Sequence, residues 1–203
     1  MKALLLNMAV VLMVLGLVTG KAGATDMVKK DAYKKLVVAG GCFWCIESDF
    51  EKLDGVIGAV SGYTGGKTEN PTYHDVSAGI TGHYEAIEIT YDPKKVTYEA
   101  LLDYFWRHID PLDGGGQFCD RGDQYRAGVF YETDEQKALV EKSKAAVEKE
   151  LGQKVKTSIE KLKPFYKAEE YHQDYYKKNP VRYKYYRFSC GRDKRVKKIW
   201  SKT

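Results

Sequence analysis

The stretch 36–53, "LVVAGGCFWCIESDFEKL", does most to limit what this chain can fold into. Residues 34–39 end in a short apolar run rich in valine, the mark of a buried strand. Gly40 and Gly41 then punctuate the chain. Beyond them Ile46, Phe50 and Leu53 recur at intervals of four and three, which predicts a helix over 42–53. A strand, a tight turn and a helix therefore follow one another. Whatever residue comes straight after the glycines stands where a helix presents unpaired N–H groups and the positive end of its dipole. That residue is Cys42.

The remaining pattern mixes both kinds of element. Strands are predicted at 56–61, 84–91, 128–131 and 155–160. Helices are predicted at 97–109, with Leu101, Leu102, Phe105 and Ile109 on one face, at 134–151, and in "KAEEYHQDYYKK" before Pro180. Thr133 and Gln136 have the spacing of a capping box, and Gly152 is placed to end the long helix. "GYTGGKTENPTYHD" reads as a loop. "LDGGGQFCDRGDQYR" is too polar and glycine-rich for regular structure, and a long loop inside a compact domain is often functional. With 203 residues, 43% of them hydrophobic, the chain can bury one core. Strands and helices do not strictly alternate, so the expected fold is a single α+β domain, a mixed sheet with packed helices.

The first 24 residues, "MKALLLNMAVVLMVLGLVTGKAGA", carry an early lysine, an uncharged apolar run and small residues at Ala22 and Ala24. They read as a signal peptide, the apolar run being short for a bilayer span. Residues 25–33 form a lead-in, 34–180 the catalytic domain and 181–203 a basic tail. Export, with a periplasmic destination, is the expectation; the membrane enters only if the signal is retained. The formal net charge of +5 includes Lys2 and Lys21 of that segment, so the remainder is too weakly basic to argue for nucleic acid. The interleaved basic and aromatic tail reads as a solvated surface.

Four cysteines, Cys42, Cys45, Cys119 and Cys190, would reach a compartment where disulfides persist. Two structural disulfides are the default there. A zinc site lacks a second close pair, and a thioredoxin-type motif does not normally place Phe43 and Trp44 between its cysteines. A nucleophile with a helper is a further option, which the helix start at Cys42 favours. An ordinary thiol is only about 3% ionised at pH 7, and a helix N-terminus lowers its pKa. Cys42 is thus expected to be the ionised nucleophile, and Cys45, one turn in, to gain less. Phe43 and Trp44 suit an apolar pocket for a small methyl-bearing group.

"GCFWC", "FEKLDGV", "GYTGG", "NPTYHDVSAGITGHYEAIEITYDP", "FWRHIDP", "CDRGDQYRAGVFY" and "FYKAEEYHQDYYKKNP", in this order, resemble the type A peptide methionine-S-sulfoxide reductases. The resemblance implies a ferredoxin-like α/β sandwich core and reduction of the S epimer of methionine sulfoxide, free or in proteins. It places the nucleophile on Cys42, its acid partner on Glu85, oxygen-holding tyrosines on Tyr73 and Tyr125, and a polar substrate partner on Asp120. Phe43 and Trp44 match the methyl pocket, and His172 a stretch beside it. It implies no bound cofactor and no metal, recycling by a thioredoxin-like reductant, and a monomer. Cys45 stands where one common form of the family has glycine. Cys45 and Cys190 are the candidate resolving residues, with a relay from Cys42 through Cys45 to Cys190 using both, while Cys119 is expected to be a buried, inert thiol. A thiol-disulfide oxidoreductase working through Cys42 and Cys45 is the alternative, and a non-catalytic domain with paired or zinc-bound cysteines a third.

Overall fold

The computed structural model describes residues 32–201. The signal segment expected at 1–24, and most of the lead-in, lie outside the described residues. Six strands form one sheet in the order β7-β6-β1-β3-β2-β8. They are β1 (Lys34–Gly40), β2 (Val56–Thr64), β3 (Tyr84–Tyr91), β6 (Ala127–Tyr131), β7 (Ser158–Lys161) and β8 (Tyr166–Lys167). Only β6 and β7 run parallel; the other pairs are antiparallel. The two-residue strands β4 (Gly116–Gln117) and β5 (Asp120–Arg121) make a small separate hairpin. It occupies the segment that the sequence marks as irregular.

Strand alternation decides what each face buries. Leu36, Val38, Ile87, Ile89 and Val129 face the main core, where they meet Phe50, Leu101, Leu102, Phe105 and Trp106. Val37, Ala39, Tyr84, Ala86 and Phe130 form a thinner cluster on the other face, covered in part by Leu162 and Phe165. The helices supplying the main layer are α1 (Phe43–Phe50), α3 (Tyr98–Trp106) and α4 (Asp134–Leu151). Glu85 shares its face with Ile87 and Ile89 by the period of two. The strand therefore delivers a carboxyl group to the helix side of the sheet.

The glycine pair after β1 is required by space and by backbone. A Cβ on Gly40 would lie 2.6 Å from the Ile46 side chain, and Gly41 has a φ of +81° with Gln117 at 2.6 Å from any Cβ. This close turn makes Cys42 the N-cap of α1.

Several sequence expectations change. The helix expected at 42–53 is shorter, and Tyr73 stands on a small helix, α2 (Tyr73–Ser77), inside the expected loop. A reciprocal box between Thr72 and Asp75 caps that helix. At α4, Thr133 does accept from the Gln136 N–H, but the Gln136 side chain reaches back to Glu132 rather than to Thr133. Gly152 ends the helix in the left-handed conformation. The strand expected at 155–160 is shifted to Ser158–Lys161. The last helix expected before Pro180 is broken into β8, a 3-10 turn at Glu170–His172 and the short α5 (Tyr175–Lys178). Beyond it α6 (Pro180–Ser189) and α7 (Arg192–Trp200) replace the expected solvated tail. Arg192 is 2% exposed and donates to the carbonyls of Gly40 and His108. No helix of the described residues is long and apolar enough to cross a membrane.

Candidate active site

Three elements converge on the first turn of α1. Glu85 comes from the start of β3, and its Oε2 accepts the Phe43 N–H at 3.1 Å. Asp120 comes from β5 and Tyr125 from a 3-10 turn at Asp123–Tyr125. Tyr73 opens α2, its N–H held by Glu169 at 2.8 Å. Cys42, Phe43, Trp44, Tyr73, Glu85, Asp120 and Tyr125 line one cavity of about 90 Å³. It is large enough for a small polar group such as a methylsulfinyl group. Seven positions named from the sequence thus meet in one place.

His172 does not line the cavity but holds its wall. Trp44 Nε1 donates to His172 Nδ1 at 3.1 Å, and Trp44 stacks on Tyr175 with ring centroids 3.7 Å apart. Burial pushes the His172 pKa down, so the ring stays neutral and can accept that bond. It lies on a 3-10 turn, not on a helix.

Electrostatics at the two buried thiols differ from the sequence expectation. Cys42 is not held ionised: burial pushes its thiol well above the ordinary value. The Cys42 side chain receives no cap hydrogen bond, and the Phe43 N–H beside it is spent on Glu85. Cys45 moves the other way, lowered first by accepting a hydrogen bond from the Cys42 thiol and then by the guanidinium groups of Arg192 and Arg187. Of the two thiols Cys45 is therefore the more readily ionised, and it is placed to draw the proton off Cys42. Glu85, 2% exposed, is pushed by burial up to about 8, against a single opposing hydrogen bond from Phe43. Burial likewise raises Tyr73 to about 12 and Tyr125 further, so both hydroxyls remain donors. Asp120 is also raised by burial, opposed by the Tyr186 hydroxyl and the Cys42 N–H.

Two contributions escaped sequence reasoning. Tyr186 of α6 lines the same cavity and donates to Asp120 Oδ2 at 2.5 Å. The helical spacing of Tyr183, Tyr186 and Cys190 was the signal for it. Cys119 is exposed and disulfide-bonded to Cys190, 71 positions away, rather than buried and inert. Cys42 and Cys45 are free, so the default of two static disulfides fails. Donor atoms also gather at Cys119, Asp120 and Cys190, and at Glu47, Glu51 and Asp174. In the first group the sulfurs are bonded to each other; in the second the Lys177 ammonium sits on Glu51 and Asp174 at 2.6 and 2.7 Å.

The family model described as peptide methionine sulfoxide reductase matches residues 34–203. The chain belongs to that family. Among reductases of known sequence it is 52% identical over 171 residues to the Vibrio cholerae protein named peptide methionine sulfoxide reductase MsrA/MsrB, covering 83% of this chain. It spans only 45% of that longer protein. It is 49% identical over 170 residues to the peptide methionine sulfoxide reductase MsrA of Bacillus licheniformis, covering 81% of this chain and 92% of that one. Among solved structures, reduced Mxr1 of Saccharomyces cerevisiae superposes with a TM-score of 0.71 at 35% identity, over 74% of this chain and 87% of that one. That likeness, together with the mixed sheet and its packed helices, agrees with the α+β expectation.

Proposed function

We propose that the chain reduces the S epimer of methionine sulfoxide, free or in proteins, with Cys42 as nucleophile. The carrying observation is Glu85: a buried carboxyl group, protonated up to about 8, bonded to the backbone N–H next to the nucleophile and lining the same cavity. A sulfoxide sulfur is a poor electrophile until its oxygen takes a proton. The substrate methyl group rests against Phe43 and Trp44. Its oxygen points to Glu85, Tyr73 and Tyr125, whose donors meet the charge as it develops. Cys42 attacks the sulfur as its thiol proton passes toward Cys45, and Glu85 protonates the oxygen. Methionine leaves, and Cys42 keeps the oxygen as a sulfenic acid. Cys45, hydrogen-bonded to Cys42, displaces it as water and forms the Cys42–Cys45 disulfide. A thioredoxin-like dithiol supplies the two electrons that restore the thiols, and no cofactor takes part.

The test is to incubate the purified chain with dithiothreitol and each sulfoxide epimer separately. The S form is expected to turn over, and Cys42→Ser to abolish it; absence of turnover of the S form overturns the reading. A protein disulfide reductase would need accessible sulfurs, whereas Cys42 and Cys45 are 6% and 2% exposed. Insulin reduction is accordingly expected to be slow. Export to the periplasm on residues 1–24 and a monomeric mature chain complete the proposal, checked by N-terminal sequencing of the secreted protein and its hydrodynamic mass.

A further inference from the structure

Glu169 does not line the cavity, yet it binds three elements around it. Its Oε1 accepts the Tyr73 N–H at 2.8 Å across 96 positions of chain, and its Oε2 accepts the Tyr63 hydroxyl at 2.8 Å across 106. Its own carbonyl accepts the His172 N–H at 2.9 Å, closing the turn whose histidine holds Trp44. Tyr63 is 0% exposed, and its ring packs on Phe43 with centroids 6.0 Å apart. The Tyr73 ring lies 6.5 Å from that of Phe43 and 4.3 Å from that of His172. Ring packing alone leaves the start of α2 untied: the Tyr73 N–H belongs to the first turn of a five-residue helix and has no partner within it. Burial works to raise the Glu169 carboxyl, but the bonds from Tyr73, from its own N–H and from Tyr63 outweigh it and hold it below the ordinary value. The group is therefore ionised, and both side-chain bonds are charge-assisted.

We infer that Glu169 is a positioning residue for the oxygen side of the site: its carboxylate fixes the backbone of Tyr73, and through it the direction in which the Tyr73 hydroxyl donates. The inference rests on the proposed sulfoxide reduction. A donor stabilises developing charge best when it already stands in place and does not have to reorganise as the charge forms. Tyr73 stands at the end of a short helix, where the fixing must come from outside. The box between Thr72 and Asp75 closes that end on itself. Glu169 ties it to β2 and to the turn that carries His172. The two carboxyl groups near Tyr73 thus differ in task. Glu85 is protonated and gives its proton to the sulfoxide oxygen; Glu169 is ionised, and no bond forms or breaks on it. Removing its side chain should slow the chemical step and spare sulfoxide binding, which rests on the Phe43 and Trp44 wall.

The experiment is a double-mutant cycle on single-turnover methionine formation by the full, reduced chain. Two quantities are read: the rate at saturating S-sulfoxide, and the concentration that gives half that rate. Glu169→Ala is expected to slow the saturated rate roughly 10-fold, with the half-saturating concentration unchanged within about 2-fold. Glu169→Gln is expected to restore most of the rate, since its amide oxygen can take the Tyr73 N–H while its NH2 donates to the Tyr63 oxygen. In a Tyr73→Phe chain no hydroxyl is left to aim, and Glu169→Ala is expected to cost less than about 2-fold more. Alanine also leaves the Tyr63 hydroxyl buried without a partner. Where that variant fails to fold, the same cycle is run in a Tyr63→Phe chain, which removes the orphaned group. A further loss of roughly 10-fold in the Tyr73→Phe chain, a change confined to half-saturation, or no change at all overturns the positioning role and leaves the proposed activity standing. No turnover of the S form by the wild type overturns the activity, and the role with it.

Discussion

Glu85 shows how a single residue acquires a chemical role from its neighbours. Its position at the head of an apolar alternating strand makes its burial legible in the sequence, and burial raises a carboxyl pKa. Cys42 was read less well. The turn and helix start were legible, but whether a helix N–H reaches a sulfur or a carboxylate depends on a strand 42 positions away. The acid must be protonated to work. Its folded pKa of about 8 keeps it so across the neutral range, and the first-turnover rate is expected to fall as pH rises through about 8. Glu85→Gln should remove that alkaline limb and slow methionine formation by roughly 100-fold or more, measured by rapid quench across a pH series. The stability sign is opposite to that of an ion-paired acid. A carboxyl raised above its unfolded value supports the fold below the unfolded pKa, and the support fades as pH rises through about 8. The glutamine variant should therefore resist alkaline unfolding better than the wild type, read from denaturation midpoints at pH 9.

The helices divide into those whose own residues announce them and those fixed by distant partners. α4 carries its start in Thr133 and its stop in Gly152, and both were readable. α1 buries Glu47 and Asp49, although a helix with that polar face would ordinarily present it to water. The reason lies far along the chain: the Asp174 N–H donates to Glu47, and Arg187 of α6 pairs with Asp49 at 2.8 Å. No local pattern in a basic, aromatic tail specifies those contacts, which is why α6 and α7 read as a solvated surface. α7 is anchored chiefly through Arg192, whose two donated bonds close off the carbonyls of Gly40 and His108 and whose guanidinium lies 4.6 Å over the Phe118 ring. Arg192→Ala should cost about 3 kcal/mol of stability by leaving those carbonyls and Asp49 short of partners, as a lower denaturant midpoint. Arg192→Lys should recover only part, since an ammonium cannot reproduce the planar fork.

At the scale of the whole molecule, the sheet order places β1 between β3 and β6, with β7 added in parallel at the edge. Periodicity identified these strands singly but carries no information on who pairs with whom, so the order was not legible. The family motifs gathered correctly because each lies at an element end on one side of this sheet. The disulfide between Cys119 and Cys190 closes a span of 71 positions, joining the hairpin to the C-terminal helices. A loop of that length removes about 4 kcal/mol of unfolded-state freedom. The oxidised chain is expected to melt roughly 10 °C above the reduced chain, by calorimetry with and without reductant. Cys119→Ser should melt at one temperature in both conditions.

The same brace makes endurance depend on redox surroundings. A copy in an oxidising compartment keeps the covalent tie and one in a strongly reducing compartment loses it, so the reduced copies are the first to be lost to heat or proteases.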